Sequence, residues 1–227
     1  MKNPFSIQTI INDKLATPRE ERKPTSWNAS KLGTCLTGVY LERLGIPPDE
    51  EFDARTLRVF SAGKTFEQWI IEMAKTPDVK FEEQVRIELP EYDVTGYADL
   101  VCEINGEKII YEIKSKNSRA FWYMEKQKEG ANFHHKMQAW LYMKALNIPE
   151  ARILYVSKDD LCLLEYPIKL DDQELAETTL NELRVLNEAW KQQLPPPVPK
   201  WEKKDQWKAS YCRWHKQCVS QQKYLII

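Results

Sequence analysis

The stretch Gly96–Lys116, GYADLVCEINGEKIIYEIKSK, constrains the fold of this chain more than any other. Asn105-Gly106 is the kind of pair that a two-residue type I′ turn selects, because both central residues take positive φ. Apolar residues alternate on either side of it, so the segment predicts a β-hairpin. A two-residue turn also sets the register. Asp99 stands opposite Glu112, since 99 and 112 sum to the same value as 105 and 106. Residues two apart on a strand share a face, so Glu112 and Lys114 point the same way. Cross-strand neighbours lie about 5 Å apart, and two carboxylates that close repel unless a cation sits between them. Magnesium and manganese prefer such oxygen ligands. A lysine beside a metal-bound water and a phosphate can orient the nucleophile or stabilise developing charge. A ladder of ion pairs on an exposed sheet face would also account for this stretch taken alone.

The chain has 227 residues, which suits one domain of generous size or one domain with appended elements. It is 42% hydrophobic and 30% charged, which excludes a disordered chain. The eight Trp and ten Tyr read first as packing rather than as a binding platform. A net charge of -1 gives no overall attraction for nucleic acid. Local asymmetry does. Residues 114–136 hold Lys114, Lys116, Arg119, Lys126, Lys128 and Lys136 against Glu125 and Glu129, and the tail from Lys200 onward is basic too. Each is compatible with a solvated face; together, beside an acidic site, they favour a polyanion. The opening MKNPFSIQTIINDKL lacks a long apolar stretch, so no signal peptide is expected, and no run approaches a membrane span. Five cysteines, an odd number, favour reduced thiols or metal ligation, and a cytoplasmic location, over a disulfide framework.

Residues 1–25 read as a polar N-terminal extension and 26–227 as a single domain that includes a cysteine-containing tail at 200–227. Ser30 is expected to cap a helix carrying Leu32, Leu36, Val39, Tyr40 and Leu44, stopped by Gly45 and Pro47-Pro48. A second helix is expected over 53–76. Strands follow in FEEQVRIEL and in the two arms of the hairpin, then a helical stretch over about 120–147 weakened or broken at Gly130. ARILYVSK and CLLEYPIKL read as strands, and 171–194 as an amphipathic helix ended by PPPVP. This order predicts an α/β fold with a mixed sheet. SAGKT is no phosphate-binding loop, because the required first glycine is Arg58.

GYAD, a hairpin and YEIKSK together resemble the PD-(D/E)xK nucleases. Gln138 and Tyr142 in QAWLY lie four apart on one helical face, and this Q-x-x-x-Y resembles the RecB-like branch. NASKLGTCLTGVYLERLG is similar to that branch's N-terminal helix, and YCRWHKQC to the end of its iron–sulfur members, including the exonucleases of CRISPR adaptation and related phage nucleases. The resemblance spans about residues 26 to 218. It implies a restriction-endonuclease-like mixed sheet flanked by helices. It implies Asp99, Glu112 and the Ile113 carbonyl as ligands of Mg²⁺ or Mn²⁺, Lys114 as the catalytic lysine, and Gln138 and Tyr142 as orienting DNA or the active site. Where the family often has a histidine after G-x-x-x, this chain has Glu67, an oxygen ligand or a solvated helix residue. Lys116, Arg119, His134, Gln138 and Tyr142 are the DNA-facing candidates. Trp122 and Tyr123 either stack on unpaired bases or pack their helix against the sheet.

The family's 4Fe–4S cluster takes one cysteine from the first helix and three near the C-terminus. Cys35, Cys212 and Cys218 fit that pattern, and Ala209 stands at the remaining place. The resemblance favours a descendant of that 4Fe–4S site, with an external or non-cysteine fourth ligand; a lost cluster and zinc held with His215 are the alternatives. Cys102 and Cys162 read as buried hydrophobes. The expected function is a metal-dependent DNA exonuclease acting on ends or single strands, in a bacterial, archaeal or phage-infected cell. A structure-selective endonuclease of the same fold and a non-catalytic DNA-binding subunit are the alternatives. DNA is the expected partner, with a homo-oligomer or an adaptation or recombination protein beside it; no membrane is expected.

Overall fold

A computed structural model of the chain describes residues 6–17, 23–127, 130–198 and 212–222. The elements run α1 (Ile7–Ala16), β1 (Trp27–Asn28), α2 (Leu36–Leu44), α3 (Ala54–Ala74), β2 (Lys80–Leu89), β3 (Val94–Ile104), β4 (Glu107–Lys116), α4 (Ser118–Gln127), α5 (Phe133–Leu146), β5 (Glu150–Ser157), β6 (Leu163–Lys169), α6 (Gln173–Gln192) and α7 (His215–Gln222). The six strands form one mixed sheet in the order β1-β3-β4-β5-β6, with β2 on the other edge of β3. The hairpin has the expected register, pairing Leu100 with Tyr111 and Ile104 with Glu107. Asn105 and Gly106 both have positive φ, as a type I′ turn requires. β4 and β5 are parallel, joined through α4 and α5, and β6 returns antiparallel at the edge.

Local signals set several helix ends. Asp53 caps α3 by accepting from Thr56 N at 2.6 Å, and Asp172 caps α6 by accepting from Leu175 N at 3.0 Å. Gly130, at φ +71, lies between α4 and α5 in the stretch read as one weakened helix. The cap assigned to Ser30 is corrected. Ala29–Lys31 form only a 3₁₀ turn, capped by Asn28, and α2 starts at Leu36 with Cys35 before it. Gly33 lies between them at φ +76, outside the helical region, so a continuous helix from residue 30 cannot form. The N-terminal extension, read as loosely ordered at its start, contains α1, which lies along α3 without burying a side chain of its own. The two-residue β1 sits parallel to the start of β3 and has no periodicity by which to be read.

The sheet separates two apolar clusters. The larger centres on α5, in which every residue from Met137 to Met143 is buried. A stretch buried on every side of its helix belongs inside a protein, and α5 is packed between the sheet and α6. The smaller lies under α3 and joins Ile70 and Ile71 to Leu100, Cys102, Ile113 and Val156. Ala98 and Val101 both enter the larger cluster although they are three apart. The alternation of β3 therefore slips between them, at Asp99 and opposite Gln84, a strand residue at φ +49.

Arg43 ties α2 to the sheet and to α6. Its guanidinium is buried against the rings of Trp27 and Trp190, 4.1 and 4.2 Å from their centroids, in the corner the two make by meeting edge-to-face at 5.6 Å. Nη2 donates to Thr25 O at 2.6 Å and to Asp93 Oδ2 at 2.5 Å. A planar, always charged fork suits both contacts, and an ammonium suits neither ring face as well. Arg43→Ala is expected to lower stability by about 2–4 kcal/mol, with little recovery in Arg43→Lys. Urea denaturation of the three proteins checks this.

Candidate active site

The hairpin brings the expected residues together. Glu112 is completely buried and Asp99 is 9% exposed. Pairing between β3 and β4 ends at Leu100 and Tyr111, one step before these two, and β4 continues along β5 instead. Asp99 uses the gap: its Oδ2 accepts the Ile113 N–H at 2.9 Å. Glu112 Oε1 accepts from the Lys114 ammonium. Glu112 Oε2 is buried with no hydrogen-bond partner among the described residues. Glu67 approaches from α3 and accepts from Gln84 Nε2 at 2.9 Å.

Three carboxylates thus converge on one lysine. Burial pushes the Glu112 carboxyl up to about 8; Lys114 opposes this, while Asp99 and Glu67 add to it. Burial also raises Asp99, against the pull of Lys114 and the Ile113 N–H. Glu67 is raised by its burial and by the Asp99 charge. Burial alone would lower Lys114, but Glu112, Asp99 and Glu67 outweigh it and keep the ammonium charged. A single lysine does not balance three carboxylates. The set is completed by protons or by a cation, and a hard divalent ion matches all-oxygen donors. These residues fit Mg²⁺ or Mn²⁺: the unpartnered Glu112 Oε2 is a free donor of the right chemistry beside Asp99.

Gln138 and Tyr142 project from the centre of α5. Gln138 Nε2 donates to the Tyr142 hydroxyl at 2.7 Å, and both residues are buried. Tyr142 lies near enough to Glu112 and Asp99 for their charges, added to its burial, to push its hydroxyl well above the usual tyrosine range. Lys116 is half-buried, with its ammonium 5.2 Å from the centroid of the Tyr155 ring. Arg119 is exposed at the start of α4. His134 packs on Gly33 and lies 4.0 Å, ring to ring, from His135. On α4, Phe121 and Met124 are the buried residues; Trp122 is 36% exposed, its indole N–H donating to Asp160, and Tyr123 is exposed.

Two participants escaped the sequence reading. Gln84 links Glu67 to Asp99, hydrogen-bonding both carboxylates. Nothing in FEEQVRIEL distinguishes it; only the β2–β3 register, which sets it across from Asp99, would have done so. His135 is the second. Its Nδ1 meets the Tyr155 hydroxyl at 2.7 Å. Burial, and then the nearby His134, Lys114 and Lys116, lower its pKa far below the usual range and keep the ring neutral.

The three expected cysteines also converge. The Sγ atoms of Cys35, Cys212 and Cys218 all lie within 4.8 Å of one another. Hydrogen bonds from the Cys212 and Cys218 thiols, and then from the Gly38 and Thr37 N–H groups at the start of α2, lower the Cys35 thiol against its burial. Ala209 lies outside the described residues. His215 is exposed and does not join the group. The four-thiolate set that a cubane cluster takes is not supplied, because Cys102 lies in the smaller core and Cys162 in the turn before β6.

No protein-family model matches the chain, and no curated protein matches it. Solved structures do. The crystal structure of SSO0001 matches over 93% of this chain and 93% of its own, with a TM-score of 0.53 at 19% identity. That of LHK-Exo, an alkaline exonuclease from Laribacter hongkongensis, in complex with dAMP matches over 75% of this chain and 94% of its own, with a TM-score of 0.51 at 17% identity. The mixed six-strand sheet flanked by helices, which the sequence resemblance implies, is therefore a fold shared with these two structures. SSO0001 and the alkaline exonuclease are its structural relatives at low sequence identity. Among the described residues, no helix is long and apolar enough to cross a membrane.

Gly96 sets the spacing between β3 and Tyr142. A Cβ there would lie 3.0 Å from the tyrosine ring and 3.2 Å from Ala29 Cβ. Gly96→Val is expected to cost about 1–3 kcal/mol and to displace the Tyr142 ring, with Gly96→Ala intermediate. Thermal unfolding and near-ultraviolet circular dichroism of the two variants check this.

Proposed function

We propose that this chain is a divalent-metal-dependent DNA nuclease, an exonuclease acting on DNA ends or single strands. One observation carries the reading: a fully buried glutamate with an unpartnered oxygen beside a second buried carboxylate and a charged lysine, on an exonuclease-type fold. Asp99, Glu112, the Ile113 carbonyl and Glu67 are the residues that would hold Mg²⁺ or Mn²⁺. Bound there, the ion would supply charge neutralisation at the phosphate and a more acidic water.

The chain's own residues supply the rest. Lys114, kept protonated by three carboxylates, places a compact positive charge where the attacked phosphate gains negative charge. Gln84 holds Glu67 and Asp99 in one arrangement. The Gln138–Tyr142 pair supports the site from α5 and orients the strand to be cut. Lys116 and Arg119 neutralise flanking phosphates, which steers DNA without reading its sequence. The dAMP bound in the LHK-Exo structure is in keeping with a nucleotide substrate.

The test is degradation of end-labelled single- and double-stranded DNA with Mg²⁺, Mn²⁺ or chelator. The wild type is expected to shorten strands from an end and to stop in chelator. Asp99→Asn and Glu112→Gln should lose cleavage while still binding DNA. Lys114→Ala should fall by about 10²–10³ with metal affinity retained, and Lys114→Arg should recover little. Wild-type rates in the carboxylate variants would refute the site. Internal cuts in circular DNA would favour the endonuclease.

Affinity for DNA should fall steeply with salt, because neutralised phosphates release counterions. Each of Lys116→Ala and Arg119→Ala is expected to reduce the slope of log affinity against log salt by about 0.7–0.9. Filter binding over a salt series reads this directly.

A further inference from the structure

We propose that Cys35, Cys212 and Cys218 bind one thiophilic metal ion of the zinc class, in a tetrahedral site whose fourth ligand is not a cysteine. The first argument is distance. Three sulfurs within 4.8 Å of one another have the spacing of ligands to a single ion. Zn–S bonds of about 2.3 Å at tetrahedral angles set sulfurs about 3.8 Å apart. A four-iron cubane places irons and bridging sulfides between its thiolates and holds them on its outer corners, wider apart than the ligands of one ion, and its usual set is four. This chain offers three at the site. Its other two cysteines belong to the smaller core and to the turn before β6.

The second argument is that the sulfurs are held in place by contacts other than their own. Cys35 is the residue before the first turn of α2, where the helix dipole favours an anionic ligand. Cys218 lies in α7, 2% exposed, its N–H donating to Trp214 O at 2.8 Å. The segment around them is docked on the loop between α2 and α3. Trp214 Nε1 donates to Ile46 O at 2.9 Å, Asp49 N to Arg213 O at 2.8 Å, and Lys216 N to Asp49 Oδ2 at 2.6 Å. Room for the sulfurs comes from Gly38, where a Cβ would lie 3.1 Å from Cys212 Sγ. All five cysteines are free thiols, so no disulfide competes for these sulfurs. A preorganised set of three soft donors selects a thiophilic ion over Mg²⁺.

The experiment is elemental and sulfide analysis of the full chain purified anaerobically without chelator, followed by cobalt titration. About one zinc per chain and no acid-labile sulfide are expected. Cobalt should give thiolate charge-transfer bands and the intense visible bands of a tetrahedral ion, both bleached by added zinc. Cys35→Ser and Cys212→Ser should weaken cobalt binding by at least about tenfold. Cys102→Ser and Asp99→Asn should leave it unchanged, so the outcome is independent of nuclease activity. Should a ligand variant fail to fold, zinc competition against cobalt in the wild type still decides. Four irons and four sulfides per chain would overturn the proposal, as would a cobalt spectrum without thiolate charge-transfer bands or equal weakening of those bands by Cys102→Ser.

Discussion

A carboxylate with no access to water is costly, and Glu112 is one. The surrounding architecture is arranged around that cost. β4 pairs with β5 at Glu112, opposite Ile153, and on its other edge the β3 pairing has just ended and Asp99 fills the gap. α5, buried from Met137 to Met143, covers one face of the sheet. Lys114, two residues on, returns a positive charge to one of the glutamate's oxygens. The other oxygen is left without a partner among the described residues, and Asp99 and Glu67 stand close by. Stability alone would be better served by a leucine at this position. In the proposed function that unpartnered oxygen is the donor a divalent ion would take.

The strain around the site fits the same logic. Gln84 is a strand residue in the left-handed region, which non-glycine residues rarely occupy. Its position opposite Asp99 is where the alternation of β3 slips. The slip turns Asp99 to the Glu112 side of the sheet while Ala98 still packs into the larger core. A regular strand could present one of those neighbours to that face, but not both.

What could be read from the residues was local. The Asn105-Gly106 turn, with its one permitted register, was enough to set Asp99 opposite Glu112 before any strand partner was known. The i, i+4 spacing likewise placed Gln138 and Tyr142 together, and they are hydrogen-bonded to each other. What could not be read depended on partners far away in the chain. Ser30 looks like a cap, but Gly33 lies outside the helical region and α2 begins later. His134 and His135 are indistinguishable by spacing; only the position of Tyr155 on β5 shows which ring meets the sheet. The packing of Arg43 against Trp27 and Trp190 joins three segments with no shared pattern. The segment at 212–218 is anchored by the buried Trp214 and Cys218 and by bonds to backbone carbonyls and the Asp49 carboxylate in the loop after α2, partners that no local pattern marks.

That docking has a consequence for the order of assembly. Trp214 bonds to a carbonyl 168 residues earlier, and Gln217 to one 170 earlier. Contacts across such separations form only after a very large loop has closed, and the entropy of closure must be met before they contribute. The hairpin and the α5–sheet core rest on shorter loops and can form first. The outer side of α2 and the loop after it then wait for the segment at 212–218 to arrive. A growing chain that has already built its sheet and its carboxylate site would still lack this last seam.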